Sequence, residues 1–258
     1  MNLETSTFNL LCTSPLEQFE ILPLVPFFIF GINITFTNST LFLVVSFFLI
    51  FTFLQFIIYQ IRIIPNNWQL IGEFLYSLVS NIIKENIGNK GEIYFPFIFV
   101  IFLLVLSTNL IGMIPYTFTV TSHIIFTFSL AFILFTGINL IGILLHNFNF
   151  LNVFLPKNTP IFIIPLLIVI EIISYITKVF TLSIRLFANL TSGHALLKII
   201  AGFSWTMLSI TGVFAIFAII PLLLLILLIG LELGIAFLQA YVFALLSCIY
   251  LNDVLNMH

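Results

Sequence analysis

The sequence predicts an all-α integral membrane protein with five membrane helix segments and one amphipathic surface helix. Hydrophobic residues make up 62% of the 258 residues and charged residues only 6%, whereas a soluble domain carries about 25% charged residues. Several apolar runs also reach the length of about 18 residues that indicates a membrane-spanning helix. Together these observations leave too little polar surface to cover a globule in water.

The apolar runs divide the chain into the parts of a single membrane domain. A head of mixed composition comes first, and the short turn IPYTFTV joins the second and third membrane segments. The predicted parts of the domain 1–258 are a head at 1–40, membrane segments at 41–61, 93–113 and 120–145, an amphipathic segment at 66–87, and long segments at 160–200 and 208–257.

The segment at 66–87 is predicted to be an amphipathic helix that lies on the membrane surface. Its apolar residues recur at helical spacing, whereas Glu73, Ser80, Lys84 and Glu85 fall elsewhere around the helix. That pattern is typical of helices that bury one apolar face in the lipid interface.

The two long segments are predicted to form an antiparallel hairpin that tilts strongly or breaks. About 40 residues of straight helix would span roughly 60 Å, twice the hydrocarbon thickness of about 30 Å. Pro165 and Pro221 are the candidate break points, because proline disrupts the interior of a helix. A strong tilt would place a long helical face at mid-membrane depth.

One face of the first long segment carries polar and charged residues at helical spacing. His194 lies half a turn around the helix from Arg185, so it belongs to the opposite face. The residues of the polar face are Glu171, Ser174, Lys178, Thr181, Arg185, Asn189 and Ser192.

The polar residues of the two long segments match in layers. Residues at one level of an antiparallel hairpin have residue numbers with a nearly constant sum, and the polar residues obey this rule. The inner layer holds Glu171 and Asp253, the middle layer holds Arg185 and Gln239, and the outer layer holds His194 and Glu232.

These residue types indicate proton transfer beside a fixed positive charge. Buried carboxylates and histidines can bind and release protons near neutral pH, whereas arginine does not lose its proton in proteins. Placing Arg185 at mid-membrane costs at least about 2.5–3.5 kcal/mol, and no acid of this chain lies at its level. The missing carboxylate is therefore predicted to come from another subunit.

Each of these residues also has a simpler interpretation. Arg185 could be an anchor that reaches the membrane surface, although lone ionisable residues inside a membrane are usually functional. His194 and Glu232 could be packing residues, Glu171 could pair with Lys178, and Asp253 could be a solvated residue near the C terminus. Asn189 and Gln239 could simply hydrogen-bond neighbouring helices together. The remaining histidines, His123, His146 and His258, could lie at the membrane interface.

Four stretches resemble subunit a of the F-type ATP synthase, of the mitochondrial type. They are SIRLFANLTSGHALL, LELGIAFLQAYVFALLSCIYLNDV, NLIGMIPYTFTVTSH and SPLEQFEI. The resemblance implies that the long helices wrap around a rotating ring of c subunits, each of which carries one carboxyl group in mid-membrane. It also implies that Arg185 is the essential arginine facing the ring, with Asn189 and Gln239 as its polar neighbours.

The resemblance further implies two offset proton half-channels. His194 and Glu232 would form the outer one, open to the intermembrane space, and Glu171 and Asp253 the inner one, open to the matrix. Bacterial members commonly carry glutamate and histidine at the His194 and Glu232 positions, and the exchanged pair is similar to the mitochondrial type. The implied partners are the c ring, peripheral-stalk and other Fo subunits, membrane lipids and protons.

No cofactor, metal site, catalytic nucleotide site or nucleic-acid partner is expected. The net charge of -2 gives no case for nucleic acid, and Cys12 and Cys248 form no metal-binding pattern. A proton-coupled secondary transporter usually shows internal repeats, and none is seen. A haem protein needs axial histidines inside facing helices, and among the histidines His194 alone meets that condition.

The basic residues predict the orientation. Arg62, Lys84, Lys90 and Lys157 fall in loops on one side of a chain with five membrane segments, with Lys198 as the exception. The positive-inside rule places those loops on the inner face. The expected location is the mitochondrial inner membrane, with the N terminus in the intermembrane space and the C terminus in the matrix.

Overall fold

The computed structural model confirms an all-α membrane protein that ends in a long helical hairpin. Among the described residues five helices are long and apolar enough to cross a membrane, and the last two pack against each other. The structure describes residues 17–26, 28–29, 32–33, 35–59, 62–114, 117–146, 164–209 and 217–255. Cys12, Lys157, His258 and most of the loop at 146–160 lie outside the described residues.

Four helices have bounds within four residues of the predicted segments, whereas α5 ends nine residues later than predicted and α6 begins eleven residues later. They are α1 (Asn38–Tyr59), α2 (Asn67–Asn86), α3 (Phe95–Gly112), α4 (Ile124–His146), α5 (Ile164–Ser209) and α6 (Ile219–Leu255). Short 3-10 turns at Asn89–Tyr94 and Val120–Ser122 precede α3 and α4. Helix α5 continues past residue 200, where Ser204, Thr206 and Ser209 donate their hydroxyl hydrogens to carbonyls of the preceding turn.

The described part of the head contains short strands that the sequence analysis did not predict. Strand β1 (Pro23–Val25) pairs antiparallel with β4 (Phe36–Thr37), and β2 (Phe28–Ile29) pairs antiparallel with β3 (Ile32–Asn33). Proline disfavours helix in this region, and aromatic and β-branched residues favour extended backbone. Asn38 joins the head to α1, since its amide donates to the Glu20 carbonyl at 3.0 Å.

The two prolines considered as break points lie in first turns. Pro165 and Pro221 are the second and third residues of α5 and α6, where proline is tolerated because its missing N–H would have no helical partner. Helix α5 therefore runs for 46 residues, which corresponds to about 70 Å of straight helix.

Helix α6 lies at the centre of the packing, against α2, α3, α4 and α5. Ala236, Ala240 and Ala244 are fully buried, and such small residues let neighbouring helices approach closely. Gly230 and Gly234 lie on the open side instead, where an added Cβ would meet no atom within 4 Å. The small residues of α6 thus divide between a packed face and an open face.

Helix α2 is amphipathic, and its buried face packs on protein. Leu75, Val79 and Ile83 are buried where α2 contacts α1, α3 and α6. Trp68 and Ile71 belong to the same apolar pattern and stay exposed. Helical spacing alone does not distinguish an apolar face that meets protein from one that meets lipid.

Candidate functional site

The polar stripe of α5 lies on the side that the rest of the chain leaves open. None of its seven residues is buried. The buried face of α5 consists of Val179, Leu182, Ser183, Leu186 and Leu190, with Ser204 further along. The helix thus has two distinct faces: an apolar face packs against the chain's own core, and the polar face stays half-buried or exposed.

Arg185 is half-buried within this stripe, far from either end of α5. Among the described residues Arg185 has no carboxylate partner, whereas Lys178 of the same stripe is paired with Asp253. This agrees with the sequence analysis, which found no acid at its level. The guanidinium is available to an anion that the described residues do not supply.

Glu232 lies across the hairpin from Gly193 and His194. Its side chain is 7% exposed, and a Cβ built on Gly193 would lie only 2.5 Å from its Oε1 atom. The carboxyl group therefore rests against the α5 backbone at the position next to His194. This placement matches the predicted outer layer within one residue.

Glycine at position 193 makes that approach possible. Any side chain there would occupy the space of the Glu232 carboxyl group. The buried Oε2 atom of Glu232 and the buried Nε2 atom of His194 have no hydrogen-bond partner among the described residues. Buried polar atoms are usually satisfied by protein or water, so this layer is suited to hold water between two titratable groups.

Asn109 of α3 extends the same polar region and was missed by the sequence analysis. It is fully buried, and its amide donates to the Ala236 carbonyl at 3.4 Å. Its Oδ1 atom is buried without a partner in the described chain. Ala236 lies one helical turn after Glu232, so the Asn109 amide is close to the outer pair. An amide inside an otherwise apolar run was the available signal.

The turn before α4 brings further buried polar atoms to α5. The Thr191 hydroxyl lies 3.5 Å from the Ser122 carbonyl, which it approaches as a donor. Oγ1 of Thr121 and Nε2 of His123 are buried without partners in the described residues. Burial lowers the pKa of the His123 imidazole, so the ring is neutral at pH 7.

The sequence analysis placed Thr121 and Ser122 at the start of the membrane segment at 120–145 and interpreted His123 as interfacial, because it lies near the end of that segment. In the structure the turn contacts α3, α4 and α5. The polar region around Glu232 therefore extends from the hairpin to this turn.

The inner layer contains an ion pair that the sequence analysis did not predict. Asp253 pairs with Lys178, with Nζ and Oδ2 3.3 Å apart, and the common level of Glu171 and Asp253 stays a prediction. Side chains on a helix point toward its N terminus, and lysine is long. Lys178 therefore reaches Asp253 from a backbone position further along the hairpin than the predicted level.

The middle layer is not joined by a hydrogen bond in the described structure. Gln239 is buried on α6, at 5% exposure, whereas Asn189 is exposed on the stripe of α5. Gln239 thus faces the packed side of the hairpin and Asn189 the open side. Among the described residues no group of three or more possible metal ligands occurs.

The fold and these side chains define a multi-pass membrane protein with ionisable groups inside its helical hairpin. The chain matches the family described as ATP synthase A chain over residues 39–252. It is 62% identical over 250 residues to ATP synthase subunit a of Chondrus crispus, covering 97% of this chain and 99% of that protein.

Two plant relatives are also ATP synthase a subunits. The identity is 44% over 249 residues to ATP synthase subunit a of Marchantia polymorpha, covering 95% of this chain and 99% of that protein. The identity is 46% over 259 residues to ATP synthase subunit a of Brassica napus, covering 97% of this chain and 99% of that protein. The chain therefore belongs to the ATP synthase subunit a family, the proton-translocating Fo subunit of the rotary F-type ATPase.

Proposed function

We propose that this chain is the stator of the Fo motor and offers two half-channels, separated by Arg185, to the carboxyl groups of a c ring. The supporting observation is the polar stripe of α5, which is open in this chain and carries an arginine without a carboxylate partner in the described residues. Lipid hydrocarbon cannot satisfy such a stripe. A partner that brings carboxyl groups to mid-membrane depth can.

The open side of α6 supports a close approach of that partner. Added Cβ atoms at Gly230 and Gly234 would meet nothing in this chain, and glycines on a membrane helix admit a second helix at short distance. The stripe of α5 and the glycines of α6 would together face the ring.

The outer half-channel is assigned to the polar region that contains His194, Glu232 and Asn109. Their buried, unpartnered atoms would carry water and pass protons to a ring carboxylate, which becomes neutral and turns away through the lipid. After almost a full turn the carboxylic acid reaches Arg185 and releases its proton into the inner half-channel, which is assigned to the region of Glu171 and Asp253. The resulting carboxylate is attracted by Arg185, whose fixed charge blocks direct proton passage between the half-channels.

The proposed location is the mitochondrial inner membrane, with the N terminus in the intermembrane space and the C terminus in the matrix. Arg62 and Lys84 lie at the ends of helices that would face the matrix, as the positive-inside rule requires. A proton that crosses 100 mV supplies about 2.3 kcal/mol, which the ring would convert to rotation. Peripheral-stalk and other Fo subunits would hold this chain against the ring.

Reconstitution of Fo in vesicles tests the proposal. Under an imposed membrane potential, proton flux should require both this chain and the ring, and this chain should co-purify with a ring of small membrane subunits. Flux by this chain without a ring would contradict the proposal. If that flux depended on an added solute, a proton-coupled transporter would be indicated instead.

Gly193→Ala is expected to leave the complex assembled and to lower its proton flux about tenfold, because misplacement of a reacting group by about 1 Å has effects of this order or larger. The added Cβ would displace the Glu232 carboxyl group, which is the flexible end of its side chain. The measurement is potential-driven proton flux per assembled complex.

Gly202→Ala is the matched control on the same helix, because an added Cβ there meets no atom within 4 Å. The control should retain wild-type flux. Equal flux in both variants would show that the position of the Glu232 carboxyl group does not limit proton uptake.

A further inference from the structure

Lys178 joins the two hairpin helices near the C-terminal end of α6. Its Nζ atom lies 3.3 Å from Oδ2 of Asp253, in the last turn of α6. The two side chains are 30% and 49% exposed. Pairs this exposed contribute little to folding stability, so the significance of the contact lies in what it positions.

Two tyrosine rings, one from each helix, surround the lysine ammonium group. Nζ lies 5.7 Å from the centroid of Tyr175 on α5 and 5.1 Å from that of Tyr250 on α6. Aromatic faces attract cations at these distances. The ammonium group is therefore held by a carboxylate and two rings, unlike a lysine that extends freely to the membrane surface.

The Tyr175 ring is itself fixed by a third helix. Its hydroxyl donates to Oδ1 of Asn139 on α4, and its ring packs on Phe135 with centroids 4.6 Å apart. The position of Lys178 is thus determined by α4, α5 and α6 together.

The ion pair divides the two inner acids into different roles. Protonation of Asp253 would remove the charge that binds Lys178. Glu171 is half-buried two turns before Lys178 and has no ion pair or side-chain hydrogen bond in the described structure. Protonation of Glu171 therefore breaks no existing contact.

We propose that Lys178 is a positioning residue that holds Asp253 as its permanent counter-ion and leaves Glu171 as the inner proton acceptor. This inference rests on the proposed function. In the step, the O–H bond of the ring carboxylic acid breaks and an O–H bond forms on Glu171. The ring group becomes a carboxylate opposite Arg185, and Glu171 then releases its proton to water on the inner side.

Variants that remove the charge of Lys178, of Asp253 or of both test this assignment in the whole ATP synthase. The measurement is proton flux per assembled complex. Lys178→Met and Asp253→Asn should each lower flux about fivefold, whereas the double variant should recover to within about twofold of wild type, because residues that act as a pair are not additive. Lys178→Arg should retain flux, since arginine keeps the charge and also stacks on aromatic rings.

Glu171→Gln should lower flux about tenfold or more, the scale of a lost proton-transfer group, both alone and in the double-variant background. Lys84→Gln, on the exposed face of α2, is the control for loss of a positive charge and should match wild type.

Wild-type flux in Lys178→Met or in Glu171→Gln would overturn the inference. So would a double variant whose fold-loss of flux equals the product of the fold-losses of the two single variants. If Lys178→Met does not assemble, the comparison of Asp253→Asn with the double variant decides in the same way. Failure of the proposed function is distinguishable, because it would appear as proton flux that does not depend on the ring.

Discussion

Arg185→Ala is expected to abolish proton-driven ATP synthesis and to leave the complex assembled. The half-buried guanidinium has no carboxylate partner in the described chain, so its removal breaks no ion pair within the subunit. If the proposed function holds, what is lost is the attraction for the ring carboxylate. If that attraction offsets a mid-membrane charge cost of about 3 kcal/mol, its loss corresponds to about 100-fold or more in rate.

The measurement is ATP synthesis by vesicles under an imposed proton-motive force, together with the passive proton leak. The leak should rise in Arg185→Ala, because no fixed charge then separates the half-channels. Arg185→Lys should retain only part of the activity, since lysine keeps the charge and loses the planar pair of donors that suits a carboxylate. Normal synthesis by Arg185→Ala would refute the role assigned to this residue.

Glu232→Gln is expected to slow proton uptake from the outer side about 100-fold, within the range for loss of a positioned proton-transfer group. Glutamine has the same shape, so the contact with Gly193 and the burial of the side chain should persist. The variant can no longer bind and release a proton at this position. Flux driven by acidification of the outer side is the appropriate measurement.

Glu85→Gln is a suitable control, because Glu85 is an exposed acid on α2 outside the hairpin. It should leave the flux unchanged. If Glu232→Gln retained wild-type proton uptake while the control was also normal, Glu232 would not be required for uptake. Other groups of the polar region would then transfer the proton, and His194 would be tested first.

The helices and the hairpin could be predicted because their signals are local. Apolar runs of sufficient length define membrane helices. The rule that residue numbers at one level of an antiparallel hairpin have a constant sum placed Glu232 within one residue of its observed neighbour Gly193. The same rule compares backbone levels and does not include the reach of a side chain, so it gave no sign of the ion pair between Lys178 and Asp253.

The polar region beyond the hairpin could not be predicted for a different reason. The sequence of helix α3 is almost entirely apolar, so no periodic signal distinguishes its buried face from its lipid face. Asn109 alone could not indicate which neighbouring helix it faces. Thr121 and His123 lie in a short turn whose packing against α5 depends on tertiary contacts. Burial in a membrane bundle follows from which helices meet, and the sequence of one helix does not specify its neighbours.

The open glycines of α6 have a consequence for rotation. Helices of a turning ring would pass Gly230 and Gly234 in succession, and these positions present bare backbone with no side chain to reorient. A larger residue would have to adopt a new rotamer, or be compressed, each time a ring helix passed. The friction so introduced would recur once for every c subunit in a revolution. The two glycines therefore keep these points of the sliding surface the same at every step.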